Sequence, residues 1–138
     1  MFPVPGRKIT TKFGIKGKWW KACGHHTGVD IAAPLGTKIV AARPGVVKHV
    51  NYGSAFGRHQ FIVLSTSGKT ADFYAHTRTR PANGKKVKAG DYLAQMGKEG
   101  NATGSHLHFE RHNTRGGWSR WSCAKIQNPS KSIAYRKK

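Results

Sequence analysis

Glycine and proline interrupt this chain about every eight to twelve residues, and no stretch between them sustains the 3.6-residue apolar period of an amphipathic helix. With 17 Gly and 6 Pro in 138 residues, only short segments are left for regular structure. Residues 38–50, KIVAARPGVVKHV, read as two β-branched runs around Pro44-Gly45, hence strand, turn, strand. Residues 60–77, QFIVLSTSGKTADFYAHT, repeat the pattern around Ser67-Gly68. There Phe61 and Val63 fall on one face and Ile62 and Leu64 on the other, as in a strand covered on both sides. Residues 85–97 turn at Ala89-Gly90-Asp91 before a further strand, and SHLHFERH at 105–112 alternates with period two. The expected fold is mainly β: a single compact domain over 1–138, built on antiparallel sheets with little helix. Its core should span about residues 6–129, with the tails 1–8 and 132–138 loosely held.

Hydrophobic residues make up 37% of the chain, enough for a core. No run approaches the roughly 18 apolar residues of a membrane span, so no transmembrane segment is expected. The start, MFPVPGRKITTKFG, carries no apolar stretch followed by a small-residue cleavage site. It is therefore read as lacking a signal peptide, with synthesis in the cytoplasm. Charge bounds the partners more sharply. Lys and Arg number 25 against 5 Asp and Glu, a formal net charge of +20. Such a balance points to a polyanion, either nucleic acid or an anionic bacterial envelope. The basic residues are scattered in small clusters, KGKWWK, KKVK and YRKK. No single recognition helix or long basic arm gathers them, so no specific nucleic-acid site is expected. Cys23 and Cys123 fit either one disulfide closing a long loop or two reduced thiols.

The histidines carry the chemistry. In HHTGVD (25–30) an extended backbone puts His26, Gly28 and Asp30 on one face, with Gly28 leaving room where the other two converge. His25 has the opposite parity. In SHLHFE (105–110) His106, His108 and Glu110 share one face, while Leu107 and Phe109 take the core side. Imidazole nitrogen and carboxylate oxygen suit zinc, and three protein ligands leave a fourth coordination position open, as catalytic rather than structural sites do. Each piece alone is weak. Both together in one short β domain, with YAH at 74–76, are much stronger.

At this point the chain resembles the lysostaphin-type (LytM-like) zinc endopeptidases of bacterial cell walls. The matching stretches are HTGVDIAAPLGTKIVA (26–41), FYAH (73–76), VKAGDYLAQMG (87–97) and GNATGSHLHFE (100–110), with IQNP (126–129) resembling the closing Asn-Pro. The resemblance covers roughly residues 6 to 129. It implies one zinc ion per chain held by His26, Asp30 and His108 in a cleft on one sheet face, with His76 and His106 catalytic. All five positions are intact, which favours an active enzyme over members that only bind the wall or activate others. One departure is AHTRTR after His76, where many members carry an apolar residue. Glu110 stands either as an acceptor orienting a histidine or as a salt-bridge partner. His25 is assigned no chemistry, and His49, His59 and His112 are read as surface residues.

The implied substrate is a peptide bond in peptidoglycan cross-links or stem peptides, with anionic wall polymers as further partners. Trp19, Trp20 and Trp118, beside cations in GKWWK and GGWSRW, are candidates to rim the cleft. A single domain without a leader fits a bacteriophage endolysin acting as a monomer. The competing readings are a non-catalytic wall-binding or activator domain and a basic nucleic-acid-binding β module. The latter leaves the ordered His and Asp positions unexplained.

Overall fold

A computed structural model describes residues 1–16, 23–100, 102, 104–115 and 121–133. Nine strands follow in chain order: β1 (Val29–Ala32), β2 (Lys38–Val40), β3 (Gly45–His49), β4 (Phe61–Ser65), β5 (Thr70–Ala75), β6 (Lys86–Val87), β7 (Tyr92–Gln95), β8 (His106–Asn113) and β9 (Ile126–Gln127). One helical turn, α1 (Ser130–Ile133), follows them. Every pairing is antiparallel. The main sheet runs β1-β8-β5-β4-β3-β6, with β9 also paired to β8; β2 and β7 form a separate two-stranded sheet. The fold is thus the mainly antiparallel β domain the sequence suggests. Among the described residues, no helix is long and apolar enough to cross a membrane.

The two-sided apolar pattern of β4 places the core. Phe61 and Val63 enter the larger cluster with Val29, Ile31, Tyr74, Leu107 and Phe109. Ile62 and Leu64 face the other way, packing with Phe73, Ala75, Tyr52 and Phe56. The second cluster shares its sheet face with His108 and Glu110, because β5 and β8 pair Ala75 with His108 and Phe73 with Glu110. On the larger-cluster face, Asp72 and Arg111 are directly opposite and form a buried ion pair with contacts of 2.7 and 3.0 Å.

The structure sharpens several local readings. Residues 38–50 do form two strands around a turn, but β2 pairs with β7 and β3 with β4 and β6. The turn carries the chain from one sheet to the other instead of closing a hairpin. The N-terminal segment is held, not loose: Phe2 and Val4 are buried in the core, and Val40 N–H donates to the Pro3 carbonyl at 2.8 Å. At the other end Ile133 is also buried in the core, while residues 134–138 lie outside the described set. The two cysteines are joined as a Cys23–Cys123 disulfide spanning 100 residues.

Candidate metal centre

Register creates the centre. β1 and β8 pair Asp30 with His108 and Ala32 with His106. Asp30 therefore sits beside His108 across the ladder, where side chains of one face lie about 5 Å apart. His26 precedes β1, in non-strand backbone, yet its Nε2 reaches Asp30 Oδ1 at 3.2 Å. His108 Nδ1 meets the same oxygen at 3.0 Å. One donor atom from each of His26, Asp30 and His108 lies within 4.8 Å of the others. Gly28 serves a purpose other than leaving room between the ligands: a Cβ there would stand 2.2 Å from the Phe109 carbonyl oxygen. Its missing side chain lets the entry to β1 press against β8.

The far nitrogen of each imidazole fixes the orientation of its ring. His26 Nδ1–H donates to the Lys12 carbonyl at 2.9 Å, which turns Nε2 toward Asp30. His108 Nε2–H donates to Glu110 Oε2 at 2.7 Å, which turns Nδ1 toward Asp30. Such an outer acceptor is the usual device for orienting a metal-ligating histidine. Two nitrogens, each on a ring whose other nitrogen is engaged, and one carboxylate oxygen form a donor set that fits zinc. Burial opposes the charge on Asp30, but hydrogen bonds with His108 and His26 outweigh it and hold the carboxylate far below its ordinary range. Burial likewise opposes a cationic His108, but the bonds to Asp30 and Glu110 prevail and push it up to about 9. A proton and a metal ion compete for the same Nδ1.

Glu110 is fully buried and gathers four donors. Oε2 accepts from Thr27 Oγ1 at 2.6 Å and from His108; Oε1 accepts from His112 Nε2 at 2.7 Å and Trp121 Nε1 at 2.8 Å. Burial opposes its ionisation, and the bonds from His108 and His112 hold it down to about 2. His112 is therefore not a surface residue but a buried partner of Glu110. Its even parity with His108 and Glu110 was the available signal. Thr27 and Trp121 join through tertiary contact alone.

His106 and His76 complete the rim. His106 Nδ1–H donates to the Gly104 carbonyl at 2.9 Å, and its Nε2 lies 3.8 Å from Asp30 Oδ1. His76 follows β5, and its ring centroid lies 4.8 Å from that of His106. It donates from Nδ1 to the Glu99 carbonyl. Burial pushes its imidazole down to about 4, so it is neutral near pH 7. Phe56 packs face to face with His108 at 5.7 Å. His25 stands apart, bonded to the His26 carbonyl and packed edge-on against Phe13. His49 bonds the Pro81 carbonyl, and His59 pairs with Glu99. In the departing AHTRTR segment, Thr77 is buried and its hydroxyl donates to the His59 carbonyl at 3.0 Å. Trp19, Trp20 and Trp118 lie outside the described residues.

Known proteins resemble this chain in sequence and in fold. The model of Peptidase family M23 matches residues 24–119. The peptidoglycan DD-endopeptidase ShyC of Vibrio cholerae is 38% identical over 86 residues, covering 62% of this chain and 19% of that protein. The chain thus spans about a fifth of that relative's length. The catalytic domain of lysostaphin from Staphylococcus simulans superposes with a TM-score of 0.82 at 24% identity, covering 96% of both chains. A zinc-containing peptidase from Vibrio cholerae superposes with a TM-score of 0.75 at 25% identity, covering 98% of this chain and 39% of the other.

Proposed function

The chain belongs to peptidase family M23, and from that premise we propose that it is a zinc-dependent endopeptidase cleaving peptide bonds in bacterial peptidoglycan cross-links or stem peptides. The observation that carries the reading is the convergence of His26, Asp30 and His108 within 4.8 Å, with His106 and His76 beside them. In this reading His26 Nε2, an Asp30 oxygen and His108 Nδ1 hold the ion. When bound, zinc supplies Lewis-acid polarisation of a carbonyl and lowers the pKa of water to about 7.

The chain's own residues then handle protons. His106 and His76 each spend Nδ1–H on a backbone carbonyl, which leaves Nε2 as the proton acceptor. Burial keeps His76 neutral near pH 7, so it can take a proton from an attacking water. Once protonated, either imidazole can donate to the carbonyl oxygen as it gains charge, or to the departing amine. Assistance of this kind contributes about 10²–10⁴-fold. The net charge of +20 supports attraction to anionic wall polymers, weakening as salt rises.

The test is digestion of purified peptidoglycan, with products identified by mass spectrometry. Release of peptide fragments, abolished by a chelator and restored by zinc, is the expected result. Wall binding without release, or release indifferent to the chelator, overturns the proposal.

A further inference from the structure

His76 stands in a backbone conformation that side chains avoid. Its φ is 67°, the one positive value among the described non-glycine residues. Such a conformation costs about 1–3 kcal/mol and persists only where the surroundings over-determine it. Two segments do so here. Residues 54–59 supply the Phe56 carbonyl, which accepts the His76 N–H at 3.0 Å. Residues 97–100 supply the Glu99 carbonyl, which accepts from His76 Nδ1. The two segments press on each other: a Cβ on Gly57 would meet Glu99 Cβ at 2.7 Å, and one on Gly100 would meet the Ala55 carbonyl oxygen at 2.2 Å.

The Glu99 side chain links them. Its Oε1 accepts from the Arg58 backbone N–H at 3.1 Å and from His59 Nδ1 at 2.8 Å. The Arg58 guanidinium, 86% exposed and 3.7 Å from Oε2, adds little, as exposed pairs do. We propose that Glu99 is a positioning residue for His76: its carboxylate ties residues 97–100 to residues 58–59, so that its own carbonyl holds the His76 ring with Nε2 toward the metal centre. The residue touches no metal ligand and acts through backbone placement. Because Oε1 alone makes both bonds, glutamine can replace glutamate there.

This inference rests on the proposed hydrolysis, and the experiment separates the two. Wild type, E99A, E99Q and H59A are assayed on soluble cross-linked peptidoglycan fragments, with zinc content measured. No turnover by the wild type defeats the proposed function. With an active wild type, E99A should lose about tenfold in kcat, since small misplacements of a reacting group have large costs, with KM and zinc content unchanged. E99Q should stay within about twofold of wild type, and H59A, losing one of the two bonds, should fall about threefold. Should E99A fail to fold, E99Q and H59A carry the comparison. Wild-type kcat in H59A, or in a folded E99A, overturns the proposal, as does an E99Q loss of tenfold. An imidazole NMR spectrum gives a readout independent of turnover. The His76 Nδ1–H resonance, assigned by its loss in H76A, should persist in E99Q and broaden in E99A. An unchanged signal in E99A overturns the positioning role.

Discussion

Replacing Glu110 by glutamine tests whether the buried carboxylate sets the tautomer of His108. Glutamine keeps the volume but turns one acceptor oxygen into a donor amide. All four groups around Glu110 are donors toward it: Thr27 Oγ1, His108 Nε2, His112 Nε2 and Trp121 Nε1. The amide therefore opposes a pair of donors either way round. Turned toward Oε1's partners it faces the indole N–H of Trp121, which cannot become an acceptor. Turned toward Oε2's partners it faces groups that adapt: the Thr27 hydroxyl rotates, and His108 gives up its Nε2 proton while keeping the one on Nδ1. The second orientation is cheaper for folding but leaves the neutral ring with its one proton on the nitrogen that faces Asp30 at 3.0 Å, where the metal would bind. Losing charge-assisted bonds worth roughly 1.5–3 kcal/mol each, partly recovered by this rearrangement, should cost about 2–4 kcal/mol of stability. Zinc affinity should fall about 10–100-fold, the usual effect of losing an outer partner. Competition with a chromophoric chelator at pH 7.5, beside a urea denaturation curve, measures both. Wild-type zinc affinity in a folded E110Q protein would refute the tautomer argument.

Other consequences follow from the same geometry. H108A and H26A should lose zinc and activity together, H106A should keep zinc and lose activity, and H25A should change neither; zinc content by mass spectrometry beside wall digestion decides each. Because His108 is pushed up to about 9, its Nδ1 proton competes with the metal, so apparent zinc affinity should rise about tenfold per pH unit between pH 7 and 8.5. A flat profile by calorimetry contradicts the competition. His76, held down to about 4 by burial, lowers stability as pH falls. Its folded value lies below the unfolded 6.5, so its contribution is whole above 6.5 and is lost as pH falls toward 4. H76A should flatten the stability curve in that window, and an unaltered slope in denaturation curves counts against the burial argument. Replacing both Cys23 and Cys123 by serine opens a loop spanning 100 residues and should lower stability by up to about 4.7 kcal/mol in chain-entropy terms. An unchanged denaturation midpoint under oxidising conditions rejects that estimate.

What the sequence disclosed and what it withheld divide along a physical line. Side-chain parity is a local property, so the grouping of His106, His108 and Glu110, and the two-sided burial of β4, could be read from residues alone. The pairing of His26 with Asp30 also emerged, although the segment before β1 is not extended strand. Partners are non-local. Nothing in KIVAARPGVVKHV says that β2 will pair with β7, because an apolar run specifies a face and not a neighbour. Residues 1–8 read as a loosely held tail, yet the side chains of Phe2 and Val4 reach the core. His112 shares parity with Glu110, but its burial depends on Tyr52 and Phe73, whose rings lie 6.4 Å away and which come from the loop between β3 and β4 and from β5. The same reasoning explains why the support of His76 was invisible: His59 and Glu99 are 40 residues apart, and only contact between two turns makes them partners. A motif therefore names the groups that face the metal and the acceptor Glu110, while the Lys12 and Glu99 carbonyls that hold His26 and His76 are set by topology. Glu110 and Glu99 are where substitutions should alter the chemistry while every motif residue facing the metal stays in place.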